Sequence, residues 1–77
     1  MFTGRVRHFN DKLGFGFIRA ENGLDYFFHF SSLLIDGYKT TAAGDQVTFE
    51  VGEGKKGPVA QGIMIVKPAV SAEQVGN

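Results

Sequence analysis

Cysteine and tryptophan are both missing from the 77 residues. The lack of cysteine excludes a disulfide framework and a thiolate metal site, and it suits a reducing cytosol, so a cytoplasmic protein is expected. No apolar run approaches the roughly 18 residues of a membrane span. The stretch Met1-Phe2-Thr3-Gly4-Arg5-Val6-Arg7 is too polar for a secretory signal, and no membrane partner is expected. Net charge is lacking too: eight Lys and Arg balance eight Asp and Glu, which argues against a binder driven by bulk charge. The chain is long enough for one small domain and no more, and it holds no internal repeat.

The zero total hides an uneven spread. Arg5, Arg7, Lys12 and Arg19 face only Asp11 in residues 1–20, whereas residues 21–53 set Lys39 against Glu21, Asp25, Asp36, Asp45, Glu50 and Glu53. Residues 54–77 turn positive again through Lys55, Lys56 and Lys67. Such blocks usually do no more than solvate a surface, yet they leave room for a binder that works by stacking with a few placed cations.

What the chain has in quantity is phenylalanine and glycine, 8 and 11 residues. They meet in Leu13-Gly14-Phe15-Gly16-Phe17-Ile18. Alternate residues of a strand share a face, so Phe15 and Phe17 point one way and the two glycines the other. A second aromatic run follows in Tyr26-Phe27-Phe28-His29-Phe30, after an Asn22-Gly23 hairpin signal. In the resulting hairpin Phe15 and Phe17 lie beside Phe27 and His29, while Ile18, Tyr26 and Phe28 supply the inward face. No long helix is available to bury a second face, so the outer rings are expected to meet water.

Strands are predicted over residues 2–9, 14–19, 25–30, 45–51 and 59–66 from β-branched and aromatic content and period-two alternation. The first has a fault, because Val6 and His8 would share a face against Arg7 and Phe9; a bulge or a corner, with Gly4 a candidate, would resolve it. Ser31 or Ser32 could cap one helical turn. Residues 36–44 read as a long connection, and Gly52-Glu53-Gly54-Lys55-Lys56-Gly57-Pro58 as a mobile basic loop. The domain is expected over residues 1–67, with 68–77 a disordered tail. Five short strands and tight turns predict a small closed or nearly closed all-β barrel, since closure removes exposed edges.

The chemistry of catalysis is thin. His8 and His29 lack a third metal ligand. His29 and Ser31 lack an orienting acid and an oxyanion donor. Gly14-Phe15-Gly16 is no dinucleotide fingerprint, since position 19 is Arg and no helix follows. Neither an enzyme nor a cofactor or metal is expected.

Lys12 to Ile18 resembles the first ribonucleoprotein motif of bacterial cold-shock proteins, and Tyr26 to Phe30 the second. The likeness extends through Gly4 to Asn10, Asp36 to Thr40, Gly44 to Val47 and Lys56 to Pro58, covering roughly residues 2–66. It implies a five-stranded antiparallel Greek-key barrel of the oligonucleotide-binding type that binds single-stranded RNA and DNA, pyrimidine-rich by expectation. It further implies destabilisation of RNA secondary structure, with effects on transcription and translation. Carried over by position, the stacking surface falls on His8, Phe15, Phe17, Phe27, His29, Phe30 and Tyr38. The polar and basic supports fall on Arg7, Asn10, Lys12, Asp25, Lys39, Lys55 and Lys56.

This sequence departs from the family in four places. The family usually has Trp at His8 and Lys at Leu13, and both changes should weaken binding or shift its preference. It usually has Val at Tyr26 and Phe28, so the core must admit two larger rings and Tyr26 must find a partner for its hydroxyl. A monomer is the expected state, with the 36–44 connection a hinge for strand exchange. The competing reading is a barrel whose aromatic face binds protein or a second copy of itself.

Overall fold

Alternating apolar residues become five strands in the computed structural model, which describes residues 1–37 and 39–69. They are β1 (Phe2–Asn10), β2 (Phe15–Ala20), β3 (Asp25–His29), β4 (Gln46–Gly54) and β5 (Gly57–Lys67), with a 3-10 turn over Phe30–Ser32. The sheet closes on itself in the order β1-β2-β3-β5-β4, a five-stranded barrel of the oligonucleotide-binding type. Four of its seams are antiparallel. The expected antiparallel barrel needs one amendment, because β3 meets β5 in a short parallel contact at Phe27 and Val59. None of the described helices is long and apolar enough to cross a membrane.

The core is a cluster of Val6, Ile18, Ala20, Tyr26, Phe28, Leu33, Val47, Phe49, Ala60 and Ile63. Room for the Phe28 ring comes from glycine. Gly16 faces inward between its cross-strand neighbours Phe9 and Phe28, so those rings lie nearly parallel, with centroids 5.7 Å apart. At the other end Tyr26 joins Phe2 and Phe49, with centroids 5.6–6.0 Å apart. The Tyr26 hydroxyl accepts a hydrogen bond from Asn22 Nδ2 at 3.3 Å.

The fault in β1 is a bulge. Its register against β2 shifts between Val6 and His8, so Arg7 and His8 both face solvent while Val6 and Phe9 face inward. The irregularity falls there and not at Gly4, which keeps regular partners in Ala20 and Val47.

The hairpin that Asn22-Gly23 signals joins β2 to β3, and two other local expectations are corrected. Among described residues no non-glycine has positive φ. The Gly23 N–H bonds to Ala20 O at 2.9 Å, so the turn is centred on Glu21 and Asn22, with Gly23 the left-handed residue that follows. Residues 52–58 are no loose loop: Gly52, Glu53 and Gly54 pair with Val59, Pro58 and Gly57, leaving Lys55 and Lys56 as the tip of a hairpin. The 3-10 turn is capped by His29, whose side chain accepts from Ser31 N, and not by a serine.

The connection after β3 is tied down by two ions. Lys39 Nζ donates to the carbonyls of Leu33 and Ile35, at 3.0 and 3.1 Å. Asp45 is buried and accepts from Thr41 Oγ1 at 2.6 Å, Ala42 N–H at 3.0 Å and Ala69 N–H at 2.8 Å. Burial pushes the Asp45 carboxyl up, but these hydrogen bonds outweigh it and hold the group below the usual range. Ala69 is thus pinned to the barrel, and the rest of the expected tail, residues 70–77, lies outside the described residues.

Candidate nucleic-acid interface

Cross-strand neighbours share a face, and the registers of β1, β2 and β3 set out three rows on the outside of the barrel. Asn10, Phe15 and His29 make one row, His8, Phe17 and Phe27 the next, and Arg5, Arg19 and Asp25 the third. The bulge is what brings His8 into the middle row.

The rings stay open to water. Phe17 and Phe27 are each 39% exposed and Phe30 is 40% exposed, while Phe15 is half-buried. Phe27 sits between the other two strand rings, 5.6 Å from Phe15 and edge-on to Phe17 at 5.7 Å. Phe30 lies past the end of β3, its ring 4.5 Å from that of His29. It is placed by Gly14, whose φ of +80° suits glycine and whose added Cβ would stand 2.9 Å from the Phe30 ring. The Gly14 carbonyl also accepts the Phe30 N–H at 2.8 Å.

His29 is held by Ser31. Ser31 N–H bonds to His29 Nδ1 at 3.2 Å and Ser31 Oγ lies 2.9 Å from the same nitrogen. A backbone amide can only donate, so Nδ1 is the acceptor and a neutral His29 carries its proton on the exposed Nε2.

The polar supports divide into free and committed groups. Asn10 Oδ1 is spent on the turn into β2, accepting from Lys12 N–H and Leu13 N–H at 3.0 Å each. The ammonium of Lys39 is spent on backbone carbonyls, although its chain lines a groove with Lys12 and Phe30. Asp25 is bound by Arg19, whose Nε and Nη2 reach its two carboxylate oxygens. That hydrogen bonding, with the charges of Arg19 and Arg7 adding to it against partial desolvation, keeps the Asp25 carboxyl below the usual range. Arg7 and Lys12 are exposed. Lys55 and Lys56 come close from the β4–β5 hairpin, forming a groove with Phe17, Phe27, Asp25 and Pro58. Tyr38 lies outside the described residues.

A five-stranded barrel that packs one face of three strands and turns rings and cations outward on the other belongs to the class of nucleic-acid-binding barrels. The sequence matches the 'Cold-shock' DNA-binding domain family over residues 2–66. It is 48% identical over 63 residues to the cold shock-like protein CspD of Bacillus cereus, covering 82% of this chain and 96% of the relative. It is 49% identical over 63 residues to the major cold shock protein of Streptococcus pyogenes serotype M1, covering 82% and 94%. The cold shock protein CspD of Bacillus subtilis is 45% identical over 64 residues, with 83% and 97% covered. The chain belongs to the cold-shock domain family, whose members bind nucleic acid.

Proposed function

We propose that the protein binds single-stranded RNA and DNA by stacking bases on Phe15, Phe17, Phe27, His29 and Phe30, with His8 at the edge, and thereby acts as an RNA chaperone. The observation that carries this reading is the exposure of Phe17 and Phe27, 39% each, on a sheet whose other face is packed with Ile18, Tyr26 and Phe28. Every base has a π-face, so stacking tolerates many sequences, and each stacked base contributes roughly 1–3 kcal/mol. A duplex hides its base faces. Trapping transiently open strands therefore destabilises weak hairpins without ATP.

The cations are few. With Arg7, Lys12 and the Lys55-Lys56 tip free, about two to four phosphates are neutralised, and log K should fall with log salt at a slope of roughly −1.5 to −3. The test is fluorescence anisotropy with a labelled thymine-rich heptamer, with Phe15→Ala and Phe27→Ala as variants. Loss of binding in both supports the reading; unaltered binding overturns it. His8→Trp should tighten binding by enlarging the stacked area.

A further inference from the structure

The row Arg5, Arg19, Asp25 has no part in ring stacking, and its geometry is unusual. Arg5 stands directly opposite Arg19 across the β1–β2 ladder. Like charges in that position repel. Asp25 answers Arg19 with both oxygens, whereas Arg5, among the described residues, donates to the carbonyl of Gly44, at 3.2 Å from Nη1. Arg7, from the bulge, acts on the same Asp25 carboxylate. Two guanidiniums, Arg19 and Arg7, thus share the Asp25 carboxylate, and Arg5 has no part in it. Beyond the row runs a shallow groove lined by Thr3, Arg5, Arg19, Glu21 and Gln46. It offers hydroxyl, amide and guanidinium donors against the single carboxylate of Glu21. Along β2, Arg19 follows Phe17 on the same face, about 6.6 Å away by the rise of a strand.

We propose that Arg5 and Arg19 form a phosphate site for the backbone of the strand whose bases lie on Phe17 and Phe27, so that the ligand runs on across β1 and β2 beyond the rings. The inference rests on the stacking function proposed above. A phosphate between the two guanidiniums removes their mutual repulsion, and the planar fork of arginine matches phosphate oxygens in pairs. Nucleic acid is favoured over an acidic peptide because the row continues the ring rows on the same three strands.

The test is the salt dependence of binding to labelled oligothymidylates of increasing length. For a long oligonucleotide, Arg5→Gln and Arg19→Gln should each make the slope of log K against log salt shallower by about 0.7, and the double variant by about 1.4. Over a fourfold salt range the double variant then loses about sevenfold less affinity than the parent. Arg19→Gln also frees Asp25, so Arg19→Gln/Asp25→Asn separates loss of the guanidinium from gain of a carboxylate, and it should show the single-variant slope. On oligonucleotides too short to pass the rings, parent and double variant should have equal slopes. An unchanged slope in the double variant, with Phe15→Ala still weakening binding, overturns the arginine site and leaves the stacking function standing. If Phe15→Ala also has no effect, both fall together. A glutamate-rich peptide that binds the parent but not the double variant, while the oligonucleotide slope stays the same, would assign the row to acidic protein and overturn the proposal.

Discussion

Phe27 and Phe28 are chain neighbours on opposite faces of one strand, and their truncation should separate binding from stability. Phe28 is 0% exposed and stacks on Phe9 at 5.7 Å. Removing such a core ring costs roughly 3–5 kcal/mol. A domain of 77 residues holds about 4–12 kcal/mol in all, so Phe28→Ala should lose a large share of its stability, and all of it at the low end of that range. Phe28→Leu keeps most of the volume and should cost about 1–2 kcal/mol, a fall in Tm of roughly 4–16 °C. Phe27 is 39% exposed, and its ring neighbours are the equally open Phe17 and the half-buried Phe15. Phe27→Ala should therefore cost about 1 kcal/mol of stability at most, while it removes a stacked base worth roughly 1–3 kcal/mol, a loss of about 5–150-fold in affinity. Thermal unfolding by circular dichroism and anisotropy at a temperature where both variants are folded measure the two effects. The reasoning is refuted if Phe27→Ala lowers Tm as far as Phe28→Leu does, or if folded Phe28→Leu loses more affinity than Phe27→Ala.

Asp45→Ala should cost about 2–4 kcal/mol, because it orphans the donors of Thr41, Ala42 and Ala69. The Asp45 carboxyl is lowered in the folded state. Its contribution is thus complete above the ordinary aspartate range near pH 4 and is lost as pH falls through the lower native value, so urea midpoints between about pH 5 and pH 2 should drop more steeply in the parent than in Asp45→Asn. Gly14→Ala places a side chain at φ +80°, 2.9 Å from the Phe30 ring; about 1–2 kcal/mol of strain should appear as a lower Tm, and displacement of Phe30 as weaker binding by anisotropy. Lys39→Met should lower Tm but leave the salt slope unchanged, since its ammonium already serves two carbonyls, whereas Lys56→Met at the open tip should make the slope shallower by about 0.7 without loss of stability.

The facing of β2 and β3 was legible because alternation is a local property. Once Phe15 and Phe17 share a side, Ile18 must take the other, and the registers bear this out. The turns were less legible. Asn22-Gly23 marks a hairpin, but which residues occupy the corners depends on the bond from Gly23 N–H to Ala20 O, and two frames of the same four residues satisfy the same sequence signal. The 52–58 segment misled for a related reason. Its glycines look like loop residues, yet pairing with β5 overrides local propensity, as strand context often does.

Of the site, the outward rings could be read from residue type and spacing, and the uses of the polar groups could not. Whether Asn10, Lys39 and Asp25 face a ligand depends on bonds to Leu13, Ile35 and Arg19, and no pattern in the chain announces who accepts from whom. Arg19 was the exception left unused: it follows Phe17 by two residues, so the same alternation that placed the ring placed the guanidinium beside it.

The inner and outer faces are not independent, and Gly16 is the reason. It has Phe9 on one side and Phe28 on the other across the inner sheet. A Cβ there would run into the carbonyl oxygen of His8 and come within 2.9 Å of Phe9 Cα. The backbone of β1 therefore lies closer to β2 at this point than any side-chain-bearing residue would permit. That approach occurs right after the bulge that turns Arg7 and His8 outward and Phe9 inward. One residue without a side chain thus makes space for a phenylalanine in the core, lets β1 close in after its bulge, and leaves Phe15 and Phe17 as the only rings of β2, both on the outside. The glycine between the two rings shapes the outer face as well as the core.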